Sequence, residues 1–372
     1  MAGIYFHIPF CKQKCTYCDF HFSTSFAAYE TQMIGSMRSE LEMRQNELNF
    51  PLDTIYFGGG TPSIAQMEGL EELLQSARRN FDVAADAEIT LEANPDDITA
   101  ETIAGWKAMG INRLSIGIQS FDAPDLLWMN RAHNVKESLD AVKIAQQGGI
   151  SNISIDLIYG LPDMDADRWK KQLALALELG VKHISAYCLT VEKKTALNQL
   201  VKSKQIKPAS NDMQAAHFEI LQESLKQAGF VQYEVSNFGK PGFFSRHNSA
   251  YWKGEHYLGI GPSAHSFDGK SRSWNIANNR LYMQSIAKNE LPLEREILEA
   301  KDRFNELLLT GLRTSWGIKL EQLANILPFS SEFERRMKEL LSQQQAEIKN
   351  GHLILTETGM LYADRIALDL FY

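Results

Sequence analysis

The chain has 372 residues, 44% hydrophobic and 23% charged, and a formal net charge of −8. That is ample for a large core plus a smaller domain without help from disulfides. The acidic balance argues against bulk nucleic-acid binding, which needs surplus Lys and Arg to neutralise phosphates.

The first residues, Met-Ala-Gly-Ile-Tyr-Phe-His-Ile-Pro, are apolar but have no basic leader or small-residue cleavage site, so no secretory signal is expected. No uninterrupted apolar run is long enough to span a bilayer. The expected location is the cytoplasm. There, a cluster of thiols points to metal or cluster binding, not to a disulfide framework.

Strands are expected over Ile4–Ile8, Thr54–Phe57, Glu88–Glu92, Arg113–Ile118, Asn152–Ile158 and His183–Leu189. Helical patterns fall between and after them, over Gln66–Arg79, Ala100–Met109, Lys136–Gln147, Ala166–Leu179 and Asn211–Ala228. This alternation predicts parallel β-α-β units, six in number and so short of the eight that close a barrel. The expected fold class is α/β. Residues 1–230 form the repeat domain. Residues 231–294, rich in Gly, Ser, Asn, His and aromatics, form a connecting region of loops and short strands. Residues 295–372 form a small, mainly helical domain of winged-helix type, which is not strongly basic.

Cys11, Cys15 and Cys18 stand in the pattern C-x3-C-x2-C, in a polar segment that includes Lys12, Gln13 and Lys14. A fourth cysteine, Cys188, is isolated and is read as a buried residue. A zinc ion could take the three thiolates with His21 or His7. Covalent haem attachment needs His after the last Cys, and Asp19 stands there. A [4Fe–4S] cluster could be held through three irons, with the fourth open to another ligand.

Other polar residues fall where parallel strands end, which is where such sheets place ligands. "YFGGGTPS" puts Gly58, Gly59, Gly60 and Thr61 after the second strand. Consecutive glycines let backbone groups approach a ligand, although a tight turn explains them equally. Glu92 ends the third strand, Gln119 ends the fourth, and Asp156 lies within the apolar fifth. A polar residue in a strand core needs a partner. Three such residues on separate strands suggest a site for ribose and amino-acid groups. Arg131 could meet a carboxylate, or be a solvated helix-end arginine.

The cysteine spacing, with the aromatic Tyr17 before the last Cys, resembles the radical S-adenosylmethionine (SAM) superfamily. That resemblance implies a partial (β/α)6 barrel and a [4Fe–4S] cluster on Cys11, Cys15 and Cys18. It implies SAM chelated to the open iron and, where SAM is cleaved, an electron donor. "YFHIPFC", "GGGTPS", "SIGIQSF", "NRAH" and "SIDLIYGLP" narrow the resemblance to oxygen-independent coproporphyrinogen III oxidases and their relatives. Carried over by motif, Tyr5, Tyr17, Gly59, Gly60, Thr61, Glu92, Gln119, Arg131 and Asp156 are expected to contact SAM.

This family holds both oxidases, which decarboxylate coproporphyrinogen III, and haem chaperones, which hand haem to apo-proteins. Three features favour the chaperone branch. Phe20 stands where the oxidases carry a further Cys. The oxidases have an N-terminal extension, and this chain starts a few residues before Tyr5. "RHNSAYW" matches a His-Asn-x-x-Tyr-Trp motif of the chaperones, which implies His247, Tyr251 and Trp252 as haem contacts, with Arg246 for a propionate. Read from the residues alone, the same stretch is a buried His–Asn pair beside an aromatic cluster. His265 is a second candidate ligand. The resemblance implies haem, haem-accepting apo-proteins and peripheral membrane contact as partners. It leaves open whether the chain is an enzyme of porphyrin biosynthesis and what its oligomeric state is.

Overall fold

The computed structural model describes residues Ala2–Tyr372. The first half runs β1 (Ala2–Ile8), α1 (Glu30–Met43), β2 (Leu52–Gly59), α2 (Met67–Asn80), β3 (Val83–Ala93), α3 (Ala100–Met109), β4 (Arg113–Gln119), α4 (Ala123–Trp128), α5 (Val135–Gln147), β5 (Asn152–Tyr159), α6 (Ala166–Glu178) and β6 (His183–Cys188). All six expected strands form, and each pairs in parallel with the next. β1 and β6 do not pair with each other, so the barrel stays open along one side. The helices begin and end on local chemistry. α3, for example, starts at Thr99, whose side chain accepts from the Thr102 N–H, and stops at Gly110 in the left-handed region with φ 99.

The two faces of these strands differ sharply. Ile4, Phe6 and Ile8 are fully buried under the outer helices, together with Ile55 and Phe57 of β2. The intervening positions turn into the barrel and are polar. Tyr5, Thr54, Tyr56, Glu92, Ser115 and Asp156 hydrogen-bond or stack with one another or with other inward-facing groups. A period of two therefore separates an apolar packing face from a polar lumen.

The chain continues through α7 (Ala196–Lys202) and α8 (Asn211–Gln227) and then, in the connecting region, β7 (Val231–Glu234), β8 (Asn237–Gly239), α9 (Arg246–Trp252), β9 (His256–Ile260), β10 (His265–Phe267), β11 (Ser271–Asn275), α10 (Asn279–Ile286) and β12 (Leu293–Ile297). Its strands extend the barrel sheet at both ends. β8 and β7 add beyond β6, whereas β9 pairs in parallel with β1 and leads on to β10, β11 and β12, giving twelve strands in one sheet. The chain closes with α11 (Ala300–Gly311), β13 (Ile318–Lys319), α12 (Leu320–Ile326), α13 (Ser331–Ser342), β14 (Ala346–Lys349), β15 (His352–Leu355), α14 (Glu357–Met360) and α15 (Ala363–Asp369). The three strands form a small antiparallel sheet beside the helices, in the winged-helix order. Arg313 ties this unit to the sheet through buried Glu234 at 2.9 Å, and its guanidinium lies 5.1 Å from the Trp252 ring centroid. Among the described residues no helix is long and apolar enough to cross a membrane.

A buried ion cluster holds β9 in place. Glu40 of α1 and Arg44, the residue that caps its C-terminal end, pair at 3.0 Å and are almost fully enclosed. Arg44 also donates to the Gly259 carbonyl at 2.9 Å, and Glu40 accepts from Gly261 N–H, Asn275 and the Tyr282 hydroxyl. Removing one partner would leave a buried charge alone. Arg44→Ala is therefore expected to destabilise the protein by about 3–5 kcal/mol, read as a lowered midpoint in chemical denaturation. The exposed-pair control Lys136→Ala should shift the midpoint little.

Candidate functional site

The loop after β1 carries the three cysteines across the C-terminal mouth of the barrel. Backbone bonds secure it on several sides. Gly60 N–H donates to Ile8 O at 2.9 Å, Thr61 N–H to Phe10 O at 2.6 Å, and Thr16 N–H to Met129 O at 3.1 Å. Lys12 pairs with Asp96 at 2.6 Å and with Asp97, which anchors the loop to the segment after β3.

Gly59 and Gly60 are required by space. Gly59 has φ 113, and a Cβ there would meet the His7 ring at 2.9 Å. A Cβ on Gly60 would stand 2.4 Å from the Phe10 carbonyl oxygen. The glycines thus let the end of β2 press against the cysteine loop, and Thr61 reaches Cys11 Sγ at 3.4 Å.

A cavity of about 410 Å³ opens at this mouth. It is lined by Cys11, Cys15 and Cys18 on one side and by Glu92, Gln119, Arg131 and Asp156 on the others, with Tyr17, Gly59, Gly60 and Thr61 between them. Tyr5 lies beneath, its ring stacked on Tyr56 at 6.0 Å. The structure therefore gathers the residues expected to hold a cluster and SAM, all but Tyr5 on the cavity wall.

Their surroundings suit those groups. Arg131 donates to Cys15 Sγ at 3.3 Å, to Asn94 Oδ1 and to the Gly117 carbonyl, while its Nε is buried without a partner. A buried unpaired donor on a guanidinium fits an arriving carboxylate. Glu92 accepts from the Tyr56 hydroxyl at 2.8 Å, and Asp156 lies 3.3 Å from Ser115 Oγ. Burial pushes Glu92 up to about 7 and Asp156 up to about 6, and the Asp156 charge raises Glu92 further. Two such carboxylates suit ribose hydroxyls and an ammonium group. Gln119 takes φ 68, a strained conformation for a non-glycine residue, and faces this cavity.

Burial, reinforced by the neighbouring cysteines, pushes Cys11 and Cys18 up to about 11, so a bound metal would be what favours their thiolates. Among the described residues no three His, Cys, Asp or Glu side chains converge on one ion position. The three thiols lie along one wall of the cavity. Of the two histidines weighed for zinc, His7 has both ring nitrogens engaged, Nε2 donating to the His21 carbonyl at 2.8 Å and Nδ1 accepting from Tyr5, while His21 Nε2 meets Asn279 Oδ1 at 2.7 Å.

The haem candidates lie off the cavity wall, whereas Cys188, expected to be buried, lies on it. His247 points away from Tyr251 and Trp252, whose rings meet edge to face at 5.1 Å. His247 turns into the lumen floor, stacked 4.9 Å from Tyr56 and bonded through Nδ1 to Thr54 Oγ1, and burial lowers it to about 4. Tyr251 packs on Tyr257, and Trp252 on Arg313. Arg246 is committed to Asp53 and Asp86. Cys188 is half-buried and lines the cavity opposite the cysteine loop. Tyr56, which fixes Glu92, and Asn94, which fixes Arg131, went unnoticed in the sequence. Their signal was their inward strand or strand-end position.

An open β/α barrel bearing this thiol-lined mouth, with a winged-helix-type unit after it, defines a radical SAM protein of the HemN class. The Radical SAM superfamily matches residues 5–176, and the HemN C-terminal domain matches residues 298–362. The chain is 35% identical over 369 residues to "Heme chaperone HemW" of Mycobacterium tuberculosis (strain CDC 1551 / Oshkosh), covering 98% of this chain and 93% of that one. It is 31% identical to "Heme chaperone HemW" of Bacillus subtilis (strain 168), covering 98% of both. The solved Escherichia coli coproporphyrinogen III oxidase, HemN, superposes with a TM-score of 0.85 over 100% of this chain and 90% of that one. At 21% identity it shows the shared fold alone. The chain belongs to the HemW heme chaperone family.

The raised carboxylates have a consequence for stability. The folded chain holds protons on Glu92 and Asp156 that the unfolded chain has released, so stability falls as pH rises from about 4 through 7. Thermal melts of metal-free protein across that range should show the decline. Glu92→Gln should flatten it and raise the melting temperature at pH 8, and an unchanged slope would contradict the assignment.

Proposed function

We propose that this chain is a cytoplasmic haem chaperone that carries a [4Fe–4S] cluster on Cys11, Cys15 and Cys18, binds SAM beside it, and delivers haem to acceptor apo-proteins. The observation that carries the haem assignment is the similarity to heme chaperones along nearly the whole chain. The cluster and SAM are supported by the three thiols, the unpartnered Arg131 Nε and the Glu92–Asp156 pair on one cavity wall.

Within that site each residue has a task. Arg131 would hold the SAM carboxylate, and its bond to Cys15 draws that carboxylate toward the cysteine loop. The Gly58–Gly60 edge would leave backbone groups open to the amino group. Glu92 and Asp156 would accept hydroxyl or ammonium protons, and Tyr17 would close over the bound ligand. When bound, the cluster would be the source of the single electron needed wherever SAM is cleaved. Burial in this cavity shields that site from water.

The test is anaerobic reconstitution followed by parallel assays of haem binding, haem transfer to an apo-protein and coproporphyrinogen III decarboxylation. Haem binding and transfer without decarboxylation are expected, and Cys15→Ser should lose iron and acid-labile sulfide. Sustained decarboxylation would assign the chain to the oxidase activity instead.

A further inference from the structure

A second cavity of about 1080 Å³ adjoins the first and shares Cys18, Asp19, Phe20 and Glu192 with it. Small-molecule pockets run about 300–1,000 Å³, so this groove accommodates a ligand with the bulk of a macrocycle. Its apolar surface comes from Phe20, Phe22 and Val191. Phe20 is 69% exposed, which leaves a large aromatic face uncovered directly beside the cysteine loop.

The rim carries Lys14, Lys193 and Lys194. None of these ammonium groups has an ion-pair partner among the described residues. Three unpaired cations beside three apolar side chains stand out in a chain of net charge −8. Asp19 and Glu192 share the rim, so it is mixed in sign and does not suit a uniformly charged polymer. The complementary ligand is broad, flat and apolar, with a few carboxylates at its edge.

We propose that the haem cargo docks in this groove, its macrocycle against Phe20, Phe22 and Val191 and its propionates toward Lys14, Lys193 and Lys194. This rests on haem being the cargo. It needs no contact from His247, whose ring is enclosed by the barrel and stacked under Tyr56. The groove's position places cargo beside the cluster pocket without competing for the SAM-binding wall.

The test titrates the cluster-loaded protein with ferric haem and with haem dimethyl ester, which lacks free propionates. Lys193→Glu/Lys194→Glu should weaken haem binding roughly tenfold, while cluster absorbance stays unchanged. Binding of the ester should be the same in both proteins. Raised salt should weaken haem binding in the wild type because the rim charges are exposed. Phe20→Asp, at an exposed position, should weaken both ligands. Unchanged haem affinity in both variants would overturn the groove assignment while leaving haem as cargo. Loss of transfer to an apo-protein with haem affinity intact would make the groove an acceptor-binding surface and likewise overturn it. Absence of haem binding in the wild type would instead overturn the cargo assignment itself.

Discussion

Everything at the mouth of this barrel depends on one close backbone approach. The end of β2 lies against the loop after β1, with Thr61 N–H on the Phe10 carbonyl and no room for a Cβ at Gly60. That contact converts a flexible polar loop into a wall with defined thiol positions. Cys11 is then held against Thr61, and the remaining cysteines are carried toward Arg131 by the bonds between Thr16 and Met129 and between Gln13 and Asn130. A larger residue at Gly60 would separate the two segments and the cysteines with them. The glycines therefore act on the cluster position first and on ligand access second.

Behind that wall, the barrel lumen solves a different problem. Buried polar groups are costly unless they are partnered. Here the partners come from distant parts of the chain. Glu88 accepts the backbone N–H groups of Arg246 and His247 at the start of α9, both at 3.1 Å, and Thr54 meets the His247 ring. Tyr56 sits between this floor and Glu92. The helix after β8 thus plugs the lower end of the barrel, and its histidine supports the side chains that line the upper end.

The six parallel strands were legible because their apolar faces are dense in Ile, Phe and Leu and because polar residues mark their ends. The cavity residues were legible through motif and strand-end position together. What escaped was long-range. α1 buries Glu30, Ser36 and Glu40 along with Met33, Ile34, Met37 and Leu41, so its buried face does not read as apolar. β9 is a parallel strand only because β1 offers it an open edge. The separation of His247 from Tyr251 and Trp252 escaped for a similar reason. On one short helix His247 points to the lumen while Tyr251 and Trp252 meet each other and reach Tyr257 and Arg313, and no local pattern reports that division.

Phe20 links these points to function. It stands two positions beyond Cys18, 69% exposed, at the boundary of the two cavities. A thiol at such a position would add a reactive, ionisable group beside the cluster. An exposed aromatic ring adds an apolar surface instead. The same loop can therefore carry the same cluster while its outer edge is adapted either to chemistry or to holding a flat ligand. In this chain, the uncovered ring and the unpaired lysines around it favour holding.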